Sequence, residues 1–199
     1  MAISKTSILN NALTRIGANP VTNIDDDTNN ARILNRVYEL SLRSILSECK
    51  WNFATKRANL SLTTDTVDWY YTSESETYVY QRPADAIRIF STNDEDATWR
   101  LEGEYILSNT ASLGIKYVYY LDEPNKYPAS FIDAFVDKLC SEIAYMIVNS
   151  QSLGDKYKKL YESVSLERAM TENAQVGESL YLRDDAWELA KYNNNSVRA

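Results

Sequence analysis

The sequence predicts an α+β protein: a bundle of about four helices, two N-terminal and two C-terminal, with an antiparallel β insertion between them and an extended C-terminal arm. Apolar residues recur at helical spacing in both end portions of the chain. Between them lie short segments rich in Tyr, Val, Ile and Trp. Beyond Gly177 the pattern weakens. We therefore expect the bundle over 1–57 and 122–176, the β insertion over 58–121 and the arm over 177–199.

Two amphipathic helices are predicted in the N-terminal portion. The first covers about residues 4–16, and Gly17 follows where a helix takes a left-handed stop. The second begins near residue 29, after an acidic connector whose Thr28 is suited to cap it. Its apolar stripe continues without Gly or Pro to about residue 49, so this helix is expected to be long.

The β insertion is expected to contain a hairpin over 99–108, because Gly103 lies between two half-apolar runs. Residues 87–90 and 115–120 supply further strands. A third helix follows Pro128, with a broad apolar face that belongs in the centre of the bundle. A short break is predicted at 152–155, before a fourth and more polar helix.

Composition argues against the common kinds of enzyme. The chain has no histidine, two cysteines and five isolated glycines, but fifteen tyrosines and four tryptophans. Without histidine, neither a Ser-His-Asp nor a Cys-His arrangement can be built, and the usual zinc ligand sets are missing. Isolated glycines form no phosphate-binding loop. We expect no enzymatic activity, cofactor or metal, whereas abundant Tyr and Trp favour a protein that assembles with others.

Charge and hydropathy argue against two classes of partner, nucleic acids and membranes. A formal charge of -7 and a pI near 4.8 argue against wrapping nucleic acid. No apolar run approaches the roughly 20 residues that span a bilayer, and the N-terminus does not resemble a secretory signal. We therefore expect a cytoplasmic site of synthesis, with Cys49 and Cys140 as buried free thiols.

Two groups of carboxylates are the remaining candidates for chemistry. Asp25, Asp26 and Asp27 have the oxygen ligands that a divalent cation prefers. Asp122 with Asp133 would be a pair for acid/base work on a sugar. Acidic residues before a helix are more often solvated caps, and 28 acidic residues supply accidental pairs. Neither group is assigned a site.

Residues 50–57 mix aromatic and basic side chains at the exit of the second helix. Such interleaving can bind single strands or phosphates. The favoured interpretation is structural: Trp51 and Phe53 hold the junction between helix and sheet, while Lys56 and Arg57 complement the C-terminus of the helix.

The arm over 177–199 carries apolar residues but has no evident core of its own. These side chains would be exposed in a monomer, so they are candidates for docking on a partner or a neighbouring subunit. Packing back onto the chain's own bundle is the alternative. The candidate docking residues are Tyr181, Leu182, Trp187 and Leu189.

Several separated segments form a pattern in their order and spacing. They are residues 8–17 (ILNNALTRIG), the Asp-rich connector, residues 51–54 (WNFA) with Lys56 and Arg57, residues 82–85 (RPAD), the 99–108 hairpin, and Tyr127-Pro128 leading to Phe131 and Ala134-Phe135. In this order and spacing they resemble the head-to-tail adaptors (tail tubular protein A) of short-tailed phages related to the T7 group. The resemblance covers about residues 3–170.

The resemblance implies a structural virion protein at the head-tail junction, assembled in the host cytoplasm. It would form a dodecameric ring between the portal protein and the tail nozzle (tail tubular protein B), near the tail fibres. The ring would line the DNA exit channel without sequence-specific binding and without a membrane partner. By the same resemblance the helical end faces the portal and the β insertion faces the nozzle, which makes the aromatic cluster Trp69, Tyr70 and Tyr71 the candidate nozzle-side interface.

Two other classes remain open from the residues. One is a carboxylate-based glycoside hydrolase of the virion tail, in which a single Asp or Glu is essential. The other is a small non-catalytic interaction module.

Overall fold

A computed structural model describes residues 3–63 and 77–176 of the chain. The helices are α1 (Lys5–Arg15), α2 (Asn29–Glu48), α3 (Ala129–Val148), α4 (Gln151–Leu160) and α5 (Leu166–Gln175). A π-helical turn, Tyr161–Ser165, joins α4 to α5, and the residues at both its ends keep right-handed helical dihedrals. Together α4, the π turn and α5 form the fourth helix of the bundle. The structure confirms the predicted fold class, and the predicted arm lies outside the described residues.

Local capping explains where the first two helices begin and where the first one ends. The Ser4 hydroxyl accepts from the Ser7 amide (3.1 Å), and the Ser7 hydroxyl accepts from the Ser4 amide (2.9 Å), which forms a reciprocal cap. Helix α1 ends as predicted, because Gly17 follows it with a φ of 77°. Helix α2 is capped by the Thr28 hydroxyl, which accepts from the Ala31 amide at 3.3 Å.

Helix α3 lies at the centre of the bundle, in contact with α1, α2 and the fourth helix. Its apolar side chains form the middle of the main core, as the broad stripe predicted. The fully buried members of that stripe are Phe131, Phe135, Leu139 and Ile143.

The break between the third and fourth helices lies earlier than the predicted 152–155. Helix α3 ends at Val148, and the next residue, Asn149, has a left-handed φ of 51°. The Ser150 hydroxyl caps α4 by accepting from the Leu153 amide (3.3 Å). Gly154 lies within α4. A Cβ at this position would come 3.2 Å from the Ser141 carbonyl oxygen, so Gly154 permits close packing on α3 and does not end a helix.

The β insertion folds into two antiparallel sheets of three strands each. One sheet has the order β1-β6-β3 and the other β2-β5-β4. The predicted hairpin is β4 and β5, and Gly103 turns it with a φ of 58°. Val118 packs into the main core and links the first sheet to the bundle. The strands are β1 (Thr55–Asn59), β2 (Tyr78–Gln81), β3 (Ala86–Thr92), β4 (Trp99–Glu102), β5 (Tyr105–Ser108) and β6 (Gly114–Tyr119).

The junction between α2 and the sheet is built partly as predicted. Trp51 is 1% exposed, its indole N–H donates to the Ile45 carbonyl (2.9 Å), and its ring meets Phe131 edge-on at 5.0 Å. Phe53 packs on Phe131 at 4.8 Å between ring centroids. The aromatic part of the prediction therefore agrees with the structure.

The basic part of that prediction was wrong for Lys56. Its ammonium pairs with Asp85 at 2.7 Å, because β1 turns away from the helix to pair with β6. The guanidinium of Arg88 lies at the C-terminus of α2, and it donates to the carbonyl oxygens of Ser47 (3.2 Å) and Glu48 (3.4 Å). Arg88 reaches this position because β3 contacts α2.

Both cysteines are free. Cys140 is fully buried in the main core, and burial raises the pKa of its thiol to about 12. Cys49 is only partly buried, contrary to the expectation of two buried thiols, because it follows the last residue of α2 as its C-cap.

Candidate interaction surfaces

Both sets of predicted interface residues lie outside the described part of the chain. The arm residues Tyr181, Leu182, Trp187 and Leu189 follow its last described residue, Val176. Trp69, Tyr70 and Tyr71 belong to 64–76, between Thr63 and Thr77. These assignments stay predictions. For these two segments, the structure describes only the surfaces next to them.

An apolar recess lies at the end of the bundle where the arm begins. It is a cavity of about 320 Å³ between the start of α3, the junction after α2 and the end of the fourth helix. Val176 lies on its rim and is 75% exposed. Apolar side chains dominate its lining, of which the largest are Trp51, Phe53 and Phe131. The recess has the character of a hydrophobic docking surface.

Large apolar side chains are also exposed on the outside of the helices. Leu40 on α2 is 71% exposed and Tyr145 on α3 is 59% exposed. Isolated exposed residues of this kind are common in monomers. Here they occur on three of the four helices of the bundle, and the remaining ones are Met146, Val164 and Met170.

Many of the described tyrosines stabilise the interior of the subunit. The Tyr38 hydroxyl donates to the Asp122 carboxylate (2.8 Å), and the Tyr161 hydroxyl donates to Glu48 (2.8 Å). Burial raises the pKa of both phenols above the usual value, and the neighbouring carboxylates raise it further. The sequence predicts that the many aromatic side chains form contact surface for partners. Several of the tyrosines instead form contacts inside the subunit. Hydroxyl groups that also donate within the described residues are those of Tyr80, Tyr117, Tyr127 and Tyr157.

A buried ionic cluster joins α1, α3 and the fourth helix, and sequence reasoning missed it. Asp137 on α3 is 2% exposed and accepts from the Arg15 guanidinium (2.5 Å) and from the Ser165 hydroxyl. Arg15 also pairs with the more exposed Asp133 (2.9 Å), and the Tyr157 hydroxyl donates to the Arg15 carbonyl (3.0 Å). Burial alone would lower the pKa of Arg15, but the two carboxylates raise it. Both carboxylate oxygens of Asp137 are occupied, so the cluster acts as a structural link.

A sequence signal for this cluster existed. Asp137 stands three residues before Cys140 and seven before Ala144, and both of these are fully buried. The spacing places the carboxylate on the apolar face of α3. A carboxylate on such a face requires a cationic or hydrogen-bonding partner. The identity of the partner, Arg15, is not readable from the spacing.

Four of the five carboxylates weighed as catalytic or metal-binding groups have other partners. Asp122 accepts from Tyr38 and Asp133 pairs with Arg15. Asp26 accepts from the Asn23 amide (2.9 Å), and Asp27 pairs with Arg32. Within 3–63 and 77–176, no three carboxylate, cysteine or histidine side chains are grouped closely enough to hold a metal ion.

No helix in the described part of the chain combines the length and the apolar character needed to cross a membrane. No protein-family model and no curated protein matches the chain.

Proposed function

We propose that this protein is a head-to-tail adaptor of a short-tailed phage, which forms a ring between the portal and the tail nozzle and lines the DNA exit channel. The observation that carries the proposal is the order of the elements. Two helices, a β insertion and two further helices follow one another along the chain. This is the architecture that the resemblance of the separated sequence segments implies.

The surface of the protein fits a ring through which DNA passes. The net charge of -7 agrees with an acidic channel wall, along which DNA slides without adhering. Exposed apolar side chains on α2, α3 and the fourth helix supply material for lateral contacts between neighbouring subunits. The role is connection, with the gate for DNA located further down the tail.

The helical end is proposed to face the portal and the β insertion to face the nozzle. The arm residues Tyr181, Leu182, Trp187 and Leu189 would then dock on the portal or on a neighbouring subunit. This assignment is supported by the apolar recess, because the last described residue, Val176, lies on its rim. The cluster of Trp69, Tyr70 and Tyr71 would contact the nozzle.

Native mass spectrometry tests the proposal directly. The purified chain is measured alone and then mixed with the portal ring encoded in the same genome. We expect the chain to join the portal as a complete ring. A chain that remains monomeric or dimeric beside intact portal rings contradicts the adaptor role, and a screen for polysaccharide hydrolysis would then follow.

A further inference from the structure

Two cations face each other across the first sheet without a compensating charge. Arg57 on β1 is directly opposite Lys116 on the central strand β6. Directly opposed residues of antiparallel strands have Cβ atoms about 5 Å apart, and like charges in this position are destabilising. Within the described residues, neither side chain has an ion pair or a hydrogen bond, although the protein as a whole is acidic. The sheet therefore carries a local excess of positive charge.

A cavity lies over this pair of cations. Its volume is about 350 Å³, and Arg57 and Lys116 both line it. No carboxylate is among the lining residues. The acidic turn 94–96 follows the lining residue Asn93, and within it the Asp94 carboxylate accepts from the Asp96 amide at 3.0 Å. The other lining residues are Ala58, Asn59, Thr92, Asn93, Gly114 and Ile115.

Gly114 leaves room for two asparagine side chains of the cavity wall, and its amide holds one of them. A Cβ at Gly114 would come within 2.9 Å of the Asn59 side-chain oxygen and 3.1 Å of Asn93 Cγ, so only glycine lets both amides approach the strand. Asn93 Oδ1 accepts from the Gly114 amide at 2.7 Å. This bond directs the oxygen of Asn93 to the backbone and leaves its NH₂ group as a donor. The wall thus combines two cations with a positioned neutral donor.

We propose that this cavity is a binding site for a phosphate-type oxyanion, held between Arg57 and Lys116. The planar guanidinium of Arg57 can donate two parallel hydrogen bonds to phosphate oxygens, while Lys116 supplies a point charge from the opposite strand. A bound anion would also remove the repulsion between the two cations. The anion has two possible sources, free inorganic phosphate or the phosphodiester backbone of a nucleic acid.

The first arm of the test titrates the full-length chain with inorganic phosphate by calorimetry, with chloride balancing the ionic strength so that screening is constant. Arg57→Gln and Lys116→Gln each remove one cation of the site. Arg36→Gln is the matched control, because Arg36 is an exposed arginine on α2 without an ion pair in the described residues. We expect the two site variants to weaken phosphate binding by about 10-fold or more, since each loses charge-assisted hydrogen bonds, and the control to bind like the parent.

The second arm replaces phosphate with a short DNA duplex at low ionic strength. Loss of duplex binding in both site variants but not in Arg36→Gln identifies the nucleic-acid backbone as the source. Phosphate binding without duplex binding identifies the free anion. Absence of phosphate and duplex binding by the parent chain, or equal weakening by all three substitutions, overturns the proposal.

Folding of the variants is checked by thermal unfolding. Because Arg57→Gln and Lys116→Gln relieve a like-charge contact, neither is expected to lower the unfolding temperature. The test uses the free chain and no portal, so its result is independent of whether the adaptor proposal holds.

Discussion

At the scale of single residues, several contacts between distant parts of the chain are made by polar groups on buried side chains. Asp137 connects three helices through Arg15 and Ser165. Tyr38 connects α2 to Asp122, which precedes α3. A buried polar group without its partner costs more free energy than the bond itself contributes. Substitutions at such residues are therefore expected to lower stability more than substitutions of exposed charges.

Asp137→Asn is the sharpest test of this expectation. The amide replaces one carboxylate oxygen by an NH₂ group, which then faces a donor, either Arg15 or Ser165. We expect the free energy of unfolding to fall by about 2–4 kcal/mol, measured by urea denaturation. Asp133→Asn is the control, because Asp133 pairs with the same arginine but its side chain is 51% exposed. It should cost less than about 1 kcal/mol. Equal losses in the two variants would contradict the role given to burial.

The buried tyrosines predict how stability depends on alkaline pH. Burial, together with the hydrogen bond to Asp85, raises the pKa of Tyr117 to about 12, whereas an unfolded tyrosine titrates near ~10. The folded state therefore favours the neutral phenol. Its contribution to stability is complete below pH ~10 and is lost as the pH rises from there through about 12.

Urea denaturation at increasing alkaline pH measures this loss, with tyrosinate absorbance recording ionisation. We expect Tyr117→Phe to show a smaller loss of stability over the same interval than the parent chain. A parent chain whose stability stays constant while its tyrosines ionise would disprove the linkage.

At the scale of the elements, the main difference between expectation and structure is the position of one break. Gly154 resembles a helix terminator in the sequence, but the structure uses it for contact between α3 and α4. The chain turns at Asn149, a residue that tolerates the left-handed region better than most.

Substitution of Asn149 tests this turn. Asn149→Ala places a Cβ without local hydrogen bonding in the left-handed region, so we expect a loss of about 1 kcal/mol in the free energy of unfolding. Asn149→Gly, the matched variant, should show no such loss, because glycine adopts this conformation without strain. Urea denaturation of both variants provides the comparison. If the two substitutions have the same effect, backbone conformation at this residue does not govern the stability of the break.

At the scale of the whole molecule, a helical bundle is attached to a smaller β insertion. The bundle has the larger core, and the residues at the α2 exit connect it to the first sheet. Two portions of the chain carry the residues assigned to partners, 64–76 and 177–199. Both directly follow described residues of this framework. In the proposed adaptor, changes in these portions should alter assembly without unfolding the subunit.

Deletion of residues 178–199 tests the portal side. We expect portal binding to be lost while the helical content of the free chain, measured by circular dichroism, stays nearly unchanged. The described helices do not include the deleted residues. Undiminished portal binding would defeat the assignment of Tyr181, Leu182, Trp187 and Leu189 to docking.

Alanine substitution of Trp69, Tyr70 and Tyr71 tests the nozzle side. We expect normal docking on the portal but weaker addition of the nozzle protein, because large aromatic side chains dominate interface energy. Stepwise assembly followed by native mass spectrometry separates the two events. Unaltered nozzle addition would count against this interface.

The sequence by itself determined the type, order and approximate length of the elements. Helical periodicity located α1, α2 and α3, and Gly17 and Gly103 marked a helix end and a hairpin turn. These features depend on residues near one another in the chain, so local patterns are sufficient to predict them.

Only the tertiary structure decided which distant residues meet. It paired Asp137 with Arg15, brought Arg88 to the end of α2, and set Arg57 opposite Lys116. Such contacts depend on strand register and helix packing, in which a shift of one residue moves a side chain to the other face. Spacing along the chain does not specify such contacts. The proposed anion site could therefore be recognised only from the strand register that sets Arg57 opposite Lys116.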